Sequence, residues 1–287
     1  MNTYKIKFAD GFAILLLLIS YIVPSFANQI KVNTNVMIML INCYIIAYLA
    51  YTISFTDTKK VILMGLPLII YSIFIIFYKK GLDVKFNKYL LTDIEYIIVN
   101  YFDLMFVVLA FFLVEIILSM VFGTNITSII GFLCLLLYLA IHNTNIISFD
   151  FYYKDLLVYF AFYVLATRIN PAKSIKGFLY PLAFFIFAFE IYLTYKKNFY
   201  LGIYLSMFIL TYIILKGDKD VNSPSFGKYL TFIYLYTFKL NYILLADIID
   251  ASTLVVSIMA ILITFLIAEI LYKLRFKFLD YIFVGIH

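Results

Sequence analysis

The stretch DGFAILLLLISY, Asp10–Tyr21, decides how the chain is read. Ten residues without a charge follow one acid and end on a phenol. Such a run is the first half of a membrane-crossing helix, because about 20 predominantly apolar residues are needed to cross the hydrocarbon core. Similar runs recur along the whole sequence. The 287 residues are 66% hydrophobic and 13% charged, with a mean hydropathy of +1.04. A soluble domain carries about 25% charged residues, so so sparse a charge points to lipid as the solvent. No long polar segment is left over for a separate soluble domain. The sequence therefore predicts an all-α fold, a polytopic transmembrane helix bundle, with residues 1–287 forming a single integral membrane domain.

Working outward from Asp10–Tyr21, about ten spans are expected, at 10–27, 35–56, 61–78, 98–122, 126–142, 154–169, 176–195, 198–216, 228–249 and 252–273. Residues 86–97, FNKYLLTDIEYI, alternate charged and apolar groups and read as an interfacial amphipathic helix. The start of the chain also resembles a secretory signal, with Lys5 and Lys7 before the apolar run and Ser25-Phe26-Ala27 after it. It is read here as a retained span. Basic residues set the orientation. Of the 22 Lys and Arg, thirteen fall on the side that holds both termini and eight on the other. That excess places both termini in the cytoplasm. The cluster Lys79–Lys88 lies on the opposite side and runs against the bias.

Several functions are excluded by what the chain lacks. There is no clustered basic face for nucleic acid, so the net charge of +6 belongs to cytoplasmic loops and anionic headgroups. Gly-rich phosphate loops, Cys/His metal spacing and a nucleophile elbow are missing, and no metal site is expected. His142 and His287 are the two histidines, so chemistry that needs a His pair is disfavoured. Cys43 and Cys134 both sit in apolar runs and are expected to be free, buried thiols with no disulfide.

Ionisable groups inside apolar spans are functional candidates, because burying them in hydrocarbon is costly. Asp103 and Glu115 share the fourth span, about 120° apart around a helix. Lys239 lies in the middle of YLYTFKLNYILL; it is read as the partner of one of those acids or as a substrate or headgroup contact. Glu269 and Lys273, four apart near the end of the last span, read as a local pair. His142 closes the fifth span, where it is either an interfacial hydrogen-bonding residue or an acid/base near neutral pH. Asp150, Lys154 and Asp155 read as a solvated edge of the sixth.

Taken in order, several stretches resemble the acyltransferase-3 family of polytopic membrane O-acyltransferases, which acylate surface glycans. Asp10–Tyr21 resembles that family's first span, a basic residue followed by an apolar run that ends in His. Asn35–Ile46, NVMIMLINCYII, is similar to its second span. Lys59-Lys60 with Leu66-Pro67 resembles the start of its third. Phe102–Ile117, Asp155–Arg168 (DLLVYFAFYVLATR) and Phe226–Tyr236 (FGKYLTFIYLY) resemble three later ones. The resemblance implies transfer of an acyl group from a cytoplasmic acyl-CoA-type co-substrate to a surface glycan or lipid-linked sugar. It implies no tightly bound cofactor, a bacterial or archaeal cytoplasmic membrane, polysaccharide modification in the cell envelope, and leaves an oligomer open. It assigns Tyr21, His142 and Asp10 to catalysis, Lys59, Lys60 and Arg168 to the donor phosphates, and Asp103, Glu115, Lys239 and Asn42 to substrate binding. Plain cytoplasmic positive charge is the other reading of Lys59, Lys60 and Arg168.

Departures from the family pattern open a second reading. The first-span His falls at Tyr21 and its basic partner at Asp10, the Ser-Gly of the second span has become Asn42-Cys43, and Trp is absent. A phenol has a reference pKa near 10, against about 6.5 for imidazole, so Tyr21 is a poor base unless perturbed. The alternative is a catalytically inactive scaffold, conduit or accessory subunit of the same fold. A transporter or respiratory-complex subunit ranks below both, since one internal His excludes bis-His haem ligation.

Overall fold

From Phe226 to Asn241 a single helix is buried at every position except Lys228 and Lys239. A helix apolar on all sides has no preferred outward face, so it takes the centre and its neighbours take the solvent. In the computed structural model this helix, α10 (Phe226–Ile248), is the core of one of two compact units. The structure describes residues 7–22, 34–56, 58–80, 103–144, 154–170, 175–197, 201–217, 225–274 and 278–280. Among these there is no strand.

The first unit comprises Met1–Phe26, Thr56–Leu109 and Pro224–His287. It holds α1 (Phe8–Ile22), α3 (Thr58–Leu63), α4 (Leu66–Lys80), the start of α5 (Asp103–Phe122), α10 and α11 (Thr253–Leu274). The third expected span is not one straight helix. It begins at Thr58 and breaks at Met64–Gly65, ahead of Pro67. Proline has no N–H and its ring crowds the preceding turn, which accounts for the break. The buried Tyr236 hydroxyl donates to the Met64 carbonyl at this break, 2.7 Å away.

Contacts fix the directions within this unit. Tyr71 stacks on Tyr236, with ring centroids 6.2 Å apart, and Tyr78 is within hydrogen-bond reach of Asp247. Both positions advance together, so α4 and α10 run parallel. Asp10 meets Ser225 and Tyr21 meets Phe238, so α1 and α10 are parallel as well. α11 returns antiparallel after a short link: Phe226 and Tyr229 near the start of α10 pack on Tyr272 near the end of α11, while Asn241 Nδ2 further along α10 donates to Thr264 Oγ1 (2.8 Å) earlier in α11.

The second unit comprises Ala27–Phe55 and Ala110–Ser223. It is built on α2 (Thr34–Ser54), which is buried from Met39 to Ile53 except at Asn42. Around it lie the rest of α5, α6 (Thr124–Thr144), α7 (Lys154–Thr167), α8 (Leu179–Lys197) and α9 (Leu201–Gly217). Gly123, at φ 81°, makes the left-handed turn between α5 and α6 that a residue with a Cβ adopts poorly. Gly131 of α6 lies directly against Val164 of α7, and Ser128 meets Arg168, so these helices are antiparallel. Phe111 packs on Phe160 and Tyr163 while Glu115 meets Arg168, so α5 and α7 are parallel.

Among the described residues, five stretches are long and apolar enough to cross a membrane: Thr34–Ser54, Thr58–Tyr78, Leu104–Phe122, Thr124–Ile141 and Thr253–Leu274. Phe8–Ile22, Leu179–Thr194 and Gly202–Gly217 are shorter apolar helices. The surface fits lipid. Met120 is 81% exposed, Ile248 75% and Phe185 70%, and apolar patches on this scale are not found on water-facing monomers. Several interior Ser and Thr hydroxyls are satisfied within their own helices, which suits hydrocarbon surroundings. Ser72, Thr231, Thr237 and Thr264 each donate to the carbonyl four residues back, at 2.6–2.9 Å.

Candidate functional site

In the first unit the candidate residues collect along the seam between α1 and α10. Asp10 and Ser225 are 3% and 4% exposed. Ser225 is the N-cap of α10: its Oγ accepts the Lys228 backbone N–H at 3.1 Å and donates its own proton to the Asp10 carboxylate. Asp10 lies in the first turn of α1, so one carboxylate serves two helix N-termini, where the macrodipole favours negative charge. Tyr21 follows eleven residues later. That spacing returns to nearly the same side of the helix, about 20° away, but about 16 Å further along the axis. There its ring lies flat on Phe238, with centroids 3.6 Å apart and planes at 13°. Phe238 is the middle rung of an aromatic ladder with Tyr234 and Tyr242. Lys239 is the next residue and is half-buried. Asp10 and Tyr21 therefore share a seam without touching, and Lys239 adjoins the Tyr21 end. Lys59 and Lys60 are exposed on the short helix α3.

Asn42, Glu115 and Arg168 belong to the second unit, where two polar groups are built. The first joins α5, α6 and α7. Arg168 Nη2 lies 2.9 Å from Glu115 Oε1, its Nε donates to Ser128 Oγ at 3.2 Å, and Thr167 Oγ1 is 3.1 Å from the same carboxylate oxygen. The Tyr163 hydroxyl is buried with no hydrogen-bond partner, close enough to Glu115 to feel its charge. The second group joins α2, α6, α7 and α9. The hydroxyls of Tyr138 and Tyr204 are 3.0 Å apart, and the Met39 sulfur is 3.1 and 3.2 Å from them. One phenol donates to the other and the second to the thioether. Asn42 Nδ2 donates to Tyr159 Oη at 3.2 Å. Asp155 sits close enough to Cys43 and Tyr138 to act on both electrostatically.

Asp155, expected on a solvated edge, is half-buried in the first turn of α7, with its charge reaching toward this cluster. Ser225, Tyr163, Tyr138 and Tyr204 were not singled out at all. Ser225 carried a usable signal, since Ser directly before an apolar helical run is an N-cap signature. The phenols carried none, being three of 27 tyrosines. His142 lies in the last turn of α6, one turn beyond Tyr138, and Asp103 opens α5; both side chains fall outside the described residues, as do residues 86–97 and Lys79–Lys88. Glu269 and Lys273 form the expected pair, at 2.6 Å. Cys43 and Cys134 are free thiols, Cys43 buried as expected and Cys134 only half-buried. Among the described residues no group of three or more His, Cys, Asp and Glu could hold a metal ion.

With this geometry in view, no family model, no curated protein and no solved structure matches the chain.

Proposed function

We propose that this chain is a membrane acyltransferase of the acyltransferase-3 type, crossing the bilayer ten times with both termini in the cytoplasm. The observation that carries the reading is the seam just described. Two of the stretches that carry the family resemblance, Asp10–Tyr21 and Phe226–Tyr236, are 205 or more residues apart in sequence, yet the helices that hold them pack side by side with their polar ends joined. Helix directions support the span count. Counting each apolar helix as one crossing, and α3 with α4 as one, α1 and α10 become crossings one and nine, α4 the third, and α5 and α7 the fourth and sixth. Crossings of equal parity must run parallel and those of opposite parity antiparallel, and each of these pairs, with α6·α7 and α10·α11, obeys that rule.

In the proposed reaction an acceptor hydroxyl oxygen attacks the thioester carbonyl carbon, the carbon–sulfur bond breaks, and the coenzyme leaves as the thiolate. The hydroxyl proton passes to a base, Tyr21 or His142, with Asp10 as the fixed anion of the first span. Asp103, Glu115, Lys239 and Asn42 are the substrate-side candidates, and the cations Lys59, Lys60 and Arg168 face the donor phosphates from the cytoplasmic side. The acceptor is a glycan or lipid-linked sugar of a bacterial or archaeal envelope. The test is incorporation of labelled acyl group from acyl-CoA into membrane glycans by membranes carrying the chain. Tyr21→Phe or His142→Ala abolishes incorporation if that residue is the base. Full incorporation in both single variants removes the assignment.

A second reading has its own support. Arg168 is already held by Glu115 and Ser128, and one face of the Tyr21 ring is covered by Phe238. Groups engaged in this way suit an inactive scaffold or conduit of the same fold. A folded wild-type chain with no incorporation above that of membranes without it selects this reading.

A further inference from the structure

We infer that Ser225 is a positioning residue, whose hydroxyl ties Asp10 between the N-termini of α1 and α10 and thereby sets the register that lays Tyr21 on Phe238. The inference rests on the function proposed above for the importance of Tyr21, but not for the geometry.

The argument begins with what holds α1 in place. Its buried side chains are Ala9, Asp10, Ala13 and Leu17. Three of the four are small or featureless apolar groups. In lipid such contacts give close packing but little choice of register, because acyl chains are as apolar as the side chains they replace. A polar contact in an apolar seam, by contrast, favours one register, since a slide leaves a buried donor or acceptor unmet. Asp10 and Ser225 make such a contact. The Ser225 hydroxyl has one proton. Its lone pair is engaged by the Lys228 N–H as the helix cap, so the proton is left to point at Asp10. The charge is needed as well as the shape. Parallel helices bring two positive N-termini together, and a carboxylate between them offsets that repulsion.

The far end of the seam reads out the near end. A slide of one residue moves the Tyr21 ring about 1.5 Å along the axis and turns it about 100° around the helix. Neither change is compatible with centroids 3.6 Å apart. Clamp and stack therefore stand or fall together, although about 16 Å separates Asp10 from Tyr21.

The experiment is oxidative cross-linking in membranes, in the full chain with Cys43 and Cys134 replaced by Ala. The reporter pair is Tyr21→Cys with Phe238→Cys. The control pair is Asn241→Cys with Thr264→Cys, which joins α10 to α11. Ser225→Ala is expected to slow the reporter cross-link about tenfold, the factor that the loss of one hydrogen bond to a charged group carries, and to leave the control pair unchanged. Ser225→Thr, which keeps the hydroxyl, restores the parent rate. Asp10→Asn, which keeps most of the shape but not the charge, slows the reporter in the same way and serves where Ser225→Ala does not fold. An unchanged reporter rate in Ser225→Ala or Asp10→Asn, a parallel fall in both pairs, or no rescue by Thr overturns the inference. Absence of acyl transfer in the parent chain, with this cross-linking pattern intact, removes the proposed function and leaves the clamp standing.

Discussion

Glu115 and Arg168 show how a single pair of side chains is weighed in this environment. The Glu115 side chain is 14% exposed and that of Arg168 33%. Removing one partner of a fully buried pair costs about 3–5 kcal/mol, because the survivor is stranded. Here Arg168 can still reach polar surroundings, so Glu115→Ala is expected to cost about 1–2 kcal/mol, between that limit and the value for exposed pairs. Thermal unfolding in detergent of Glu115→Ala, Arg168→Ala and the double variant measures the coupling, expected at roughly 1 kcal/mol; strict additivity would mean that the pair contributes nothing. Tyr163 gives a smaller effect. Its hydroxyl is buried outside regular hydrogen-bond geometry but beside the Glu115 carboxylate, so Tyr163→Phe removes a desolvated group and, at most, a marginal contact with that carboxylate. The same unfolding assay should find it within about 1 kcal/mol of the parent. Both residues were visible in the sequence, but not their relation. An acid and a base 53 positions apart on different spans have many potential partners, and only packing selects one.

Helix pairs are decided by what their glycines admit. A Cβ at Gly131 would come 2.9 Å from Val164 Cβ and 3.0 Å from its Cγ1. Val164 Cβ is fixed to the backbone, so the only relief is to push α6 away from α7. A Cβ at Gly217 would overlap the Tyr180 hydroxyl, and one at Gly202 the Glu190 carboxylate. These lie at opposite ends of the antiparallel α8·α9 pair. The Glu190 carboxylate is the free end of a flexible chain and can swing aside, whereas the Tyr180 ring moves only as a rigid plate. Replacement by Ala should therefore cost most at Gly131, less at Gly217 and least at Gly202. Overpacking costs about 1–3 kcal/mol, set against a gain of up to about 1 kcal/mol from better helix propensity; at Gly202 the two nearly cancel. Tyr180→Phe should recover part of the loss caused by Gly217→Ala, because it deletes the worst overlap but leaves the ring carbon Cζ 2.7 Å from the new Cβ. Unfolding temperatures of the three alanine variants and of that double variant check the order, and a Gly202→Ala loss larger than that at Gly131 would contradict it. At this scale the sequence was informative. The apolar runs place helices to within a few residues, as for 35–56 against Thr34–Ser54 and 252–273 against Thr253–Leu274. The break before Pro67 was missed because the run on either side is uniformly apolar, and apolar content says nothing about backbone continuity.

For the chain as a whole, composition separates lipid from water as solvent, while function rests on few residues. Apolar runs are long and repeated, so they average out local accidents. The Asp10–Ser225 contact depends on two side chains 215 positions apart, a relation that no window along the sequence contains. The membrane arrangement can be tested at that scale. Under the proposed ten alternating crossings with cytoplasmic termini, the turn between α5 and α6 and the link before α8 fall on the cytoplasmic side, and the link between α10 and α11 on the other. Asn125, Lys176 and Ser252 are exposed at these three places, so each accepts a reporter cysteine without disturbing the core. In a chain with Cys43 and Cys134 replaced by Ala, an impermeant maleimide added to intact cells should label Ser252→Cys alone. Opening the membrane should add Asn125→Cys and Lys176→Cys. The result tests more than orientation. α7 has 14 residues and rises only about 21 Å, short of the roughly 30 Å hydrocarbon core. If α7 enters and leaves by the same face, the turn before α6 and the link before α8 fall on opposite sides, and Asn125→Cys and Lys176→Cys part company in the assay. Equal protection of the two requires α7 to cross with local thinning of the bilayer or with flanking residues completing the span, and it also places Arg168 at the cytoplasmic face where a donor phosphate could reach it.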